Sequence, residues 1–189
     1  MLPEFIKRLI PGRTFDHASA TWPEPLRAYM SCKRKPAKSA PLRDVRFVVF
    51  DTETSGLDMS KNRLLSIAGV AMTGAEVALD DTFDVMVEQT DVGGADAAVV
   101  HGLISNDLVG GLPEDEAAAR FLAFTGDSVL VAHHAAFDVR MLQKAIAAHR
   151  GAKVWSPSVD TAQLARRVEV GPMPTHQAHG ADERESYRL

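Results

Sequence analysis

The clearest pattern of hydrophobic and polar positions lies between residues 45 and 88, where three apolar runs are separated by short polar stretches. The runs cover residues 45–53, 63–72 and 77–88 and are rich in β-branched or aromatic side chains. That composition favours β-strands. The T-G-A-E connection at residues 73–76 is typical of a tight turn. We therefore predict three consecutive strands in an antiparallel meander.

Helical and strand patterns alternate in the second half of the chain. Pro113 followed by three acidic residues favours a helix start, and Gly126 favours its end. We predict a helix over 113–124, a short buried strand over 128–133, a helix over 135–150, a further short strand and a helix from about Asp160. A short helix is also expected near Ser105. This order predicts an α/β fold, with a mixed sheet of meander and parallel strands flanked by helices.

The first 43 residues differ in composition from the rest of the chain. They contain six of the ten prolines and nine Lys/Arg against three Asp/Glu, whereas residues 44–189 contain twelve Lys/Arg and twenty-two Asp/Glu. We expect residues 1–43 to be a basic, proline-containing N-terminal appendage and residues 44–189 to be the functional domain. The basic segment either contacts a polyanion or is a solvated linker.

Composition also limits the compartment and the partners. The single cysteine, Cys32, rules out an internal disulfide or a C-x-x-C metal motif, which fits a reducing cytoplasm. No apolar run approaches the roughly 18 residues of a membrane span, and the N-terminus lacks the apolar stretch of a signal peptide. We expect a cytoplasmic protein without a membrane partner.

Three acidic residues follow or adjoin predicted strands. Asp51 and Glu53 are two positions apart at the end of the first strand, so their side chains share one face. Asp138 lies in the first turn of the helix after the fourth strand, where the helix dipole stabilises a carboxylate, and the topology allows it to face the end of the first strand. Carboxylates in this arrangement suit hard divalent cations, although an Asp-x-Glu pair alone is a weak signal in a chain with 25 acidic residues.

Four motifs occur in order along the chain: F-D-T-E-T-S-G-L-D at 50–58, H-G-L at 101–103, H-H-A-A-F-D-V-R-M-L at 133–142 and V-D-T-A-Q-L-A-R-R at 159–167. Together they resemble the DnaQ-like 3′–5′ exonucleases of the DEDDh class, the family of the proofreading epsilon subunit of bacterial DNA polymerase III. The resemblance covers roughly residues 45–167. It implies a ribonuclease H-like fold and a site of four acids and one histidine. His134 stands where the family usually has asparagine.

The resemblance implies hydrolysis assisted by two metal ions. Two Mg²⁺ ions, with Mn²⁺ as a substitute, would lie roughly 4 Å apart on either side of the scissile phosphate. Asp51 would bridge both ions, Glu53 would hold one ion and orient the attacking water, and Asp138 would serve the second ion. These three acids are the expected catalytic and metal-binding residues. Because carboxylates this close repel each other, their pKa values should be raised in the metal-free protein.

The same resemblance implies five substrate-binding residues. Leu57 would wedge against the terminal bases, while the Thr54 backbone and Phe137 would contact the 3′-terminal nucleotide. His101 and His133 would lie near the substrate. Other roles remain open: ordinary packing for Leu57, a core position for Phe137, a structural role for His101 and a polar contact behind the site for His133.

The family's third motif, H-x-A-x-x-D, supplies the general base and the fourth acid. The nearest match, H-Q-A-H-G-A-D at 176–182, misses the spacing by one residue. We therefore expect the exonuclease domain to be truncated at its C-terminus. Loss of a general base typically lowers hydrolysis by about 10²–10⁴-fold.

The function predicted from the sequence is metal-dependent 3′–5′ exonucleolytic hydrolysis of phosphodiester bonds at single-stranded or frayed DNA 3′ ends, in a truncated or impaired form. Polymerase subunits are the expected protein partners. One alternative is an exoribonuclease of the same superfamily, because the first two motifs do not separate DNA from RNA. The other is a catalytically degenerate module that binds nucleic acid or a polymerase.

Overall fold

A computed structural model describes residues 21–32, 39–89 and 108–170. Within these ranges a five-stranded sheet is flanked by helices. The elements are helix α1 (Glu24–Ser31), a 3₁₀ turn (Leu42–Asp44), strands β1 (Arg46–Thr54), β2 (Leu64–Thr73) and β3 (Glu76–Met86), helix α2 (Glu114–Thr125), strand β4 (Val129–Ala132), helix α3 (Ala135–Ala145), strand β5 (Ser158–Asp160) and helix α4 (Thr161–Val170).

The sheet is mixed, and its strand order is β3-β2-β1-β4-β5. The pairs β1–β2 and β2–β3 are antiparallel, whereas β1–β4 and β4–β5 are parallel. The predicted meander followed by parallel strands is therefore confirmed. β1 is the central strand. Its apolar residues, among them Val48 and Phe50, are buried.

The two strands that flank β1 pair with different lengths of it. β4 pairs with β1 only along residues 47–49, whereas β2 pairs with β1 as far as Thr54, with an irregularity between Glu53 and Thr54. β4 ends at Ala132, one residue after the last pair, so the last four residues of β1, 51–54, lie beyond the end of β4. The carboxyl ends of parallel strands are common binding sites in open α/β sheets. Here helix α3 begins just after the carboxyl end of β4.

Helix α2 covers one face of the sheet and forms much of the core. Phe121 is fully buried, and its ring centroid lies 5.1 Å from that of Phe50 and 5.4 Å from that of Phe83. Gly69 makes this close approach possible, because a Cβ atom there would lie 3.2 Å from the Phe121 ring. The aromatic cluster ties the helix to β1, β2 and β3.

Helix α1 belongs to the predicted appendage but packs into the same core. Leu26 and Tyr29 are buried, and the Tyr29 ring stacks on Trp155 with 5.0 Å between centroids. The Tyr29 hydroxyl accepts hydrogen bonds from the backbone N–H groups of Trp155 (2.9 Å) and Ser156 (3.1 Å). The proposed boundary after residue 43 stays a prediction, but residues 24–31 are joined structurally to the domain.

Most element boundaries agree with the sequence, and α3 is the main exception. It ends at Ala145 rather than Arg150, because the chain turns inward at buried Ile146 and Gly151 adopts a positive φ of 86°. The helix expected near Ser105 lies outside the described residues. Across the described ranges, no helix is both long and apolar enough to cross a bilayer.

Candidate active site

The end of β1 presents its side chains alternately to two environments. Asp51 is exposed and Glu53 is half-buried, whereas Thr52 between them is only 8% exposed. This alternation follows from the pleat of the strand, which places residues two apart on one face. Asp51 and Glu53 therefore share a face, as the sequence predicted.

Helix α3 brings Asp138 to the end of β1. Its side chain is 3% exposed, and the Thr52 Oγ1 hydroxyl donates a hydrogen bond of 2.6 Å to its Oδ1 atom. The two residues are 86 positions apart in the chain. A hydroxyl–carboxylate bond of this length is in the charge-assisted range. The predicted meeting of the helix start and the first strand is thus made through Thr52.

Burial raises the pKa of the Asp138 carboxyl above its ordinary range. The hydrogen bond from Thr52 opposes this rise, and the negative charge of Asp51 adds to it. For Asp138 the direction is the predicted one, but its largest cause is desolvation rather than the repulsion between carboxylates on which the prediction rested. A divalent cation near Asp51 and Asp138 would therefore favour the ionised form.

The carboxylates fit a metal ion in chemistry more clearly than in geometry. Asp51, Glu53 and Asp138 offer only oxygen donors, which Mg²⁺ and Mn²⁺ prefer. Among the residues that the structure describes, no three acid, histidine or cysteine side chains are close enough together to hold an ion. The assignment of these three acids as metal ligands therefore stays a prediction.

The turn between β4 and α3 has an unusual backbone. His134, the residue before α3, has φ 56° and ψ 42°, the left-handed conformation. Asparagine, aspartate and histidine are enriched in this region among non-glycine residues. The conformation therefore gives a physical reason why histidine can stand at the family's asparagine position.

Asp160 joins this turn to the start of α4. Its Oδ1 atom accepts hydrogen bonds from the backbone N–H of His134 (3.2 Å) and of Ala162 (3.0 Å). One carboxylate oxygen thus caps helix α4 and holds the residue that precedes α3. Asp160 is not among the site residues predicted from the sequence, although Asp-Thr before a helical pattern is a typical capping signal.

His133 faces solvent beside the same turn. Its Nδ1 atom lies 3.1 Å from the Thr161 hydroxyl, and its ring centroid lies 4.6 Å from that of His134. The contact with Thr161 fits the alternative of a polar contact behind the site. Substrate binding by His133 stays a prediction.

The other substrate-binding candidates are found in different settings. Leu57 is 85% exposed, so it is not held by ordinary core packing. Thr54 lies at the end of β1 and donates from Oγ1 to the Gly56 carbonyl at 2.9 Å. Phe137 is half-buried and packs against the core. His101 lies outside the described residues, as does the segment over 176–182 that was compared with the third motif.

Comparisons with known proteins identify the family. The exonuclease family model named for RNase T matches residues 48–171. The PolC-type DNA polymerase III of Streptococcus pyogenes serotype M18 is 31% identical over 139 residues, which is 74% of this chain and 9% of that protein. The corresponding protein of Halalkalibacterium halodurans is 34% identical over 127 residues, 67% of this chain and 9% of that protein. The chain thus spans less than a tenth of the length of these relatives.

Solved structures show the same fold at lower sequence identity. The apo form of exonuclease I superimposes with a TM-score of 0.59 at 14% identity, covering 67% of this chain and 31% of that one. Escherichia coli exonuclease I with a dA16 oligonucleotide also gives 0.59 at 14% identity, covering 67% and 30%. These likenesses confirm the predicted ribonuclease H-like fold. The match of the family model over residues 48–171, about two thirds of the chain, shows that the chain belongs to the DnaQ-like, RNase T exonuclease family.

Proposed function

We propose that this exonuclease domain removes nucleotides from the 3′ end of single-stranded or frayed DNA in a reaction that requires divalent metal ions. The observation that carries the proposal is the approach of buried Asp138 to the end of β1, where it accepts a hydrogen bond from Thr52, the residue between Asp51 and Glu53. The metal requirement, the 3′–5′ direction and the choice of DNA are all parts of the proposal.

In this proposal some residues hold the metal ions, and others orient the attacking water or the substrate. Asp51, Glu53 and Asp138 would hold the metal ions, and Glu53 would also orient the attacking water. Thr52 fixes the Asp138 carboxylate by donating to Oδ1. When bound, two divalent ions supply charge stabilisation to the phosphate and lower the pKa of a bound water. Leu57 and Phe137 would position the terminal nucleotide, because orientation of the scissile bond is a large part of such catalysis.

The named relatives support DNA as the substrate. The PolC-type proteins are DNA polymerases, and solved exonuclease I structures contain a dA16 oligonucleotide or single-stranded DNA with a zinc ion. We extend this to the present chain as a proposal, with polymerase subunits as partners and the cytoplasm as its location. An exoribonuclease is the competing activity, and a degenerate binding module is the competing function without catalysis.

Polarity and sugar preference can be tested together. Matched single-stranded DNA and RNA oligonucleotides, labelled at the 5′ end, are incubated with the chain and Mg²⁺ or Mn²⁺. We expect a ladder that shortens from the 3′ end, faster for DNA, and arrest by a phosphorothioate at the last 3′ linkage. Faster RNA degradation would favour the exoribonuclease, and degradation from the 5′ end would contradict the proposal. Binding without product would favour the degenerate module.

A matched pair of variants controls for contamination. Glu53→Gln removes a proposed site carboxylate at similar volume, whereas Asp80→Asn changes an exposed acid on β3. The ladder should disappear with the first variant and persist with the second.

A further inference from the structure

The segment that carries Leu57, here called the Leu57 loop (residues 55–63), connects β1 to β2. Its ends are joined to each other by hydrogen bonds from Ser55 N to Arg63 O (3.0 Å) and from Arg63 N to Ser55 Oγ (3.1 Å). Within it, Asn62 N donates to Asp58 O at 2.9 Å. The loop is therefore an ordered projection at the end of the strand that bears Asp51 and Glu53.

Lys144 on helix α3 forms hydrogen bonds to the backbone of this loop. Its Nζ atom donates to the backbone carbonyls of Met59 (2.8 Å) and Asn62 (2.5 Å). The lysine side chain is half-buried, and an ammonium group has the donors needed for two carbonyls at once. Hydrogen bonds from charged donors are stronger than neutral ones.

The position of Lys144 on α3 links the loop to the acidic site. Lys144 follows Asp138 by six residues on the same helix, a rise of about 9 Å. Near its start, α3 contacts β1 through the bond between Asp138 and Thr52. Near its end, it contacts the Leu57 loop through Lys144. The two contacts fix one rigid helix to both the strand and the loop.

On the other side, the loop is tied to helix α2. Glu114 accepts hydrogen bonds from Arg63 Nε (2.6 Å) and from Leu64 N (3.1 Å). These bonds hold the end of the loop nearest β2, whereas the part around Met59 and Asn62 is held by Lys144 and by the packing of Met59 against the core.

We propose that Lys144 is a positioning residue that fixes the Leu57 loop relative to Asp138, so that Leu57 is held against the terminal bases of a strand whose last phosphodiester lies at the acids. The role in hydrolysis rests on the function proposed above. Lys144 acts through backbone carbonyls and touches neither the substrate nor the reacting atoms. Its removal should loosen the loop and impair the use of long substrates, while the chemistry at the phosphate is largely retained.

Hydrogen exchange tests the structural part without relying on activity. Lys144→Met keeps the apolar stem and removes the ammonium, Lys144→Arg keeps a donor, and Lys153→Met is the control at an exposed lysine. In Lys144→Met, the amides of Lys61 and Asn62, which both donate to Asp58 O, should exchange about tenfold faster, while the Ser55 amide and the amides paired between β1 and β2 stay unchanged. Lys144→Arg should restore part of the protection, and Lys153→Met should match the parent. Unchanged exchange at Lys61 and Asn62 in Lys144→Met would overturn the proposal.

Kinetics with two substrates test the positioning part. For a single-stranded DNA oligonucleotide, Lys144→Met should lower kcat/KM about tenfold, mainly through KM, because misplaced contacts weaken orientation. The p-nitrophenyl ester of thymidine 5′-monophosphate lacks the second base against which Leu57 would wedge, so for this ester the change should be less than twofold. Adding Leu57→Ala to Lys144→Met should cost less than the product of the separate losses.

The outcomes separate this inference from the proposed function. Equal losses on both substrates, or a normal KM for the oligonucleotide in Lys144→Met, would overturn the positioning role. If the parent chain hydrolysed neither substrate, the proposed function would be rejected, and the exchange measurement would decide whether Lys144 holds the loop.

Discussion

Replacement of Thr52 by valine tests the contact that brings the two halves of the site together. Valine has nearly the same shape but cannot donate to Asp138. Both residues are almost fully buried, at 8% and 3% exposure, so water cannot readily replace the lost hydroxyl. The carboxylate would keep its burial and lose the donor at 2.6 Å.

The expected loss follows from the type of bond. Hydrogen bonds to charged groups contribute about 1.5–3 kcal/mol, and a buried acceptor left without its donor retains its desolvation cost. The low exposure of both partners means that solvent screening needs no large correction. We therefore expect Thr52→Val to lower the free energy of unfolding by about 2 kcal/mol at pH 7. Thr52→Ser keeps the hydroxyl and loses one methyl group, so it should cost no more than about 1 kcal/mol.

The loss should depend on pH in a specified direction. The bond from Thr52 lowers the pKa of Asp138, so its removal raises that pKa further in the folded variant. The charge-dependent part of the loss is complete above the pKa of the variant and disappears below the pKa of the folded parent. Below that point only the weaker bond of a neutral carboxyl remains to be lost.

Urea unfolding in EDTA measures the free energy of unfolding of each variant as a function of pH. The range runs from pH 7 down to the lowest pH at which the parent stays folded. The difference between Thr52→Val and parent should shrink as the pH falls, and the difference for Thr52→Ser should stay constant. In an Asp138→Asn background, Thr52→Val should cost only about 1 kcal/mol. A loss that is independent of pH, or the same in both backgrounds, would refute the reasoning.

Three further predictions concern the elements around the site. Tyr29→Phe removes the acceptor of two backbone N–H groups and should cost about 2 kcal/mol in urea unfolding; an unchanged midpoint would argue against docking of α1. His134→Gly should stabilise by about 1 kcal/mol, because glycine adopts positive φ without a Cβ penalty; a melting temperature no higher than that of His134→Ala would contradict this. Asp160→Ala should cost about 1 kcal/mol through the lost cap, whereas Asp160→Asn retains an acceptor and should cost less by calorimetry.

The strands, most helices and the sheet topology were predictable because they depend on local patterns. Alternation along residues 77–88 predicted β3, and the proline and acidic residues before 117 predicted the start of α2. The order of elements then limited the sheet to a meander followed by parallel strands. Asp51 and Glu53 shared a face for the same reason, since a strand repeats every two residues.

The remaining features depend on contacts between distant residues. Nothing near Thr52 indicates that its hydroxyl meets an acid 86 positions later, and nothing near Lys144 indicates that it binds two carbonyls of the Leu57 loop. The place of helix α1 in the core depends on the stacking of Tyr29 on Trp155. Such contacts have no periodicity along the chain, so they become visible only in three dimensions.

We propose that Asp51 belongs to a metal-dependent exonuclease site. The most direct measurement is the release of mononucleotides from a 3′-labelled single-stranded DNA oligonucleotide by the purified chain with Mn²⁺, compared with Asp51→Ala under identical conditions. We predict that the parent releases mononucleotides and that EDTA stops the release. Asp51→Ala should release none. No release by the parent, or equal release by Asp51→Ala, would contradict this proposal.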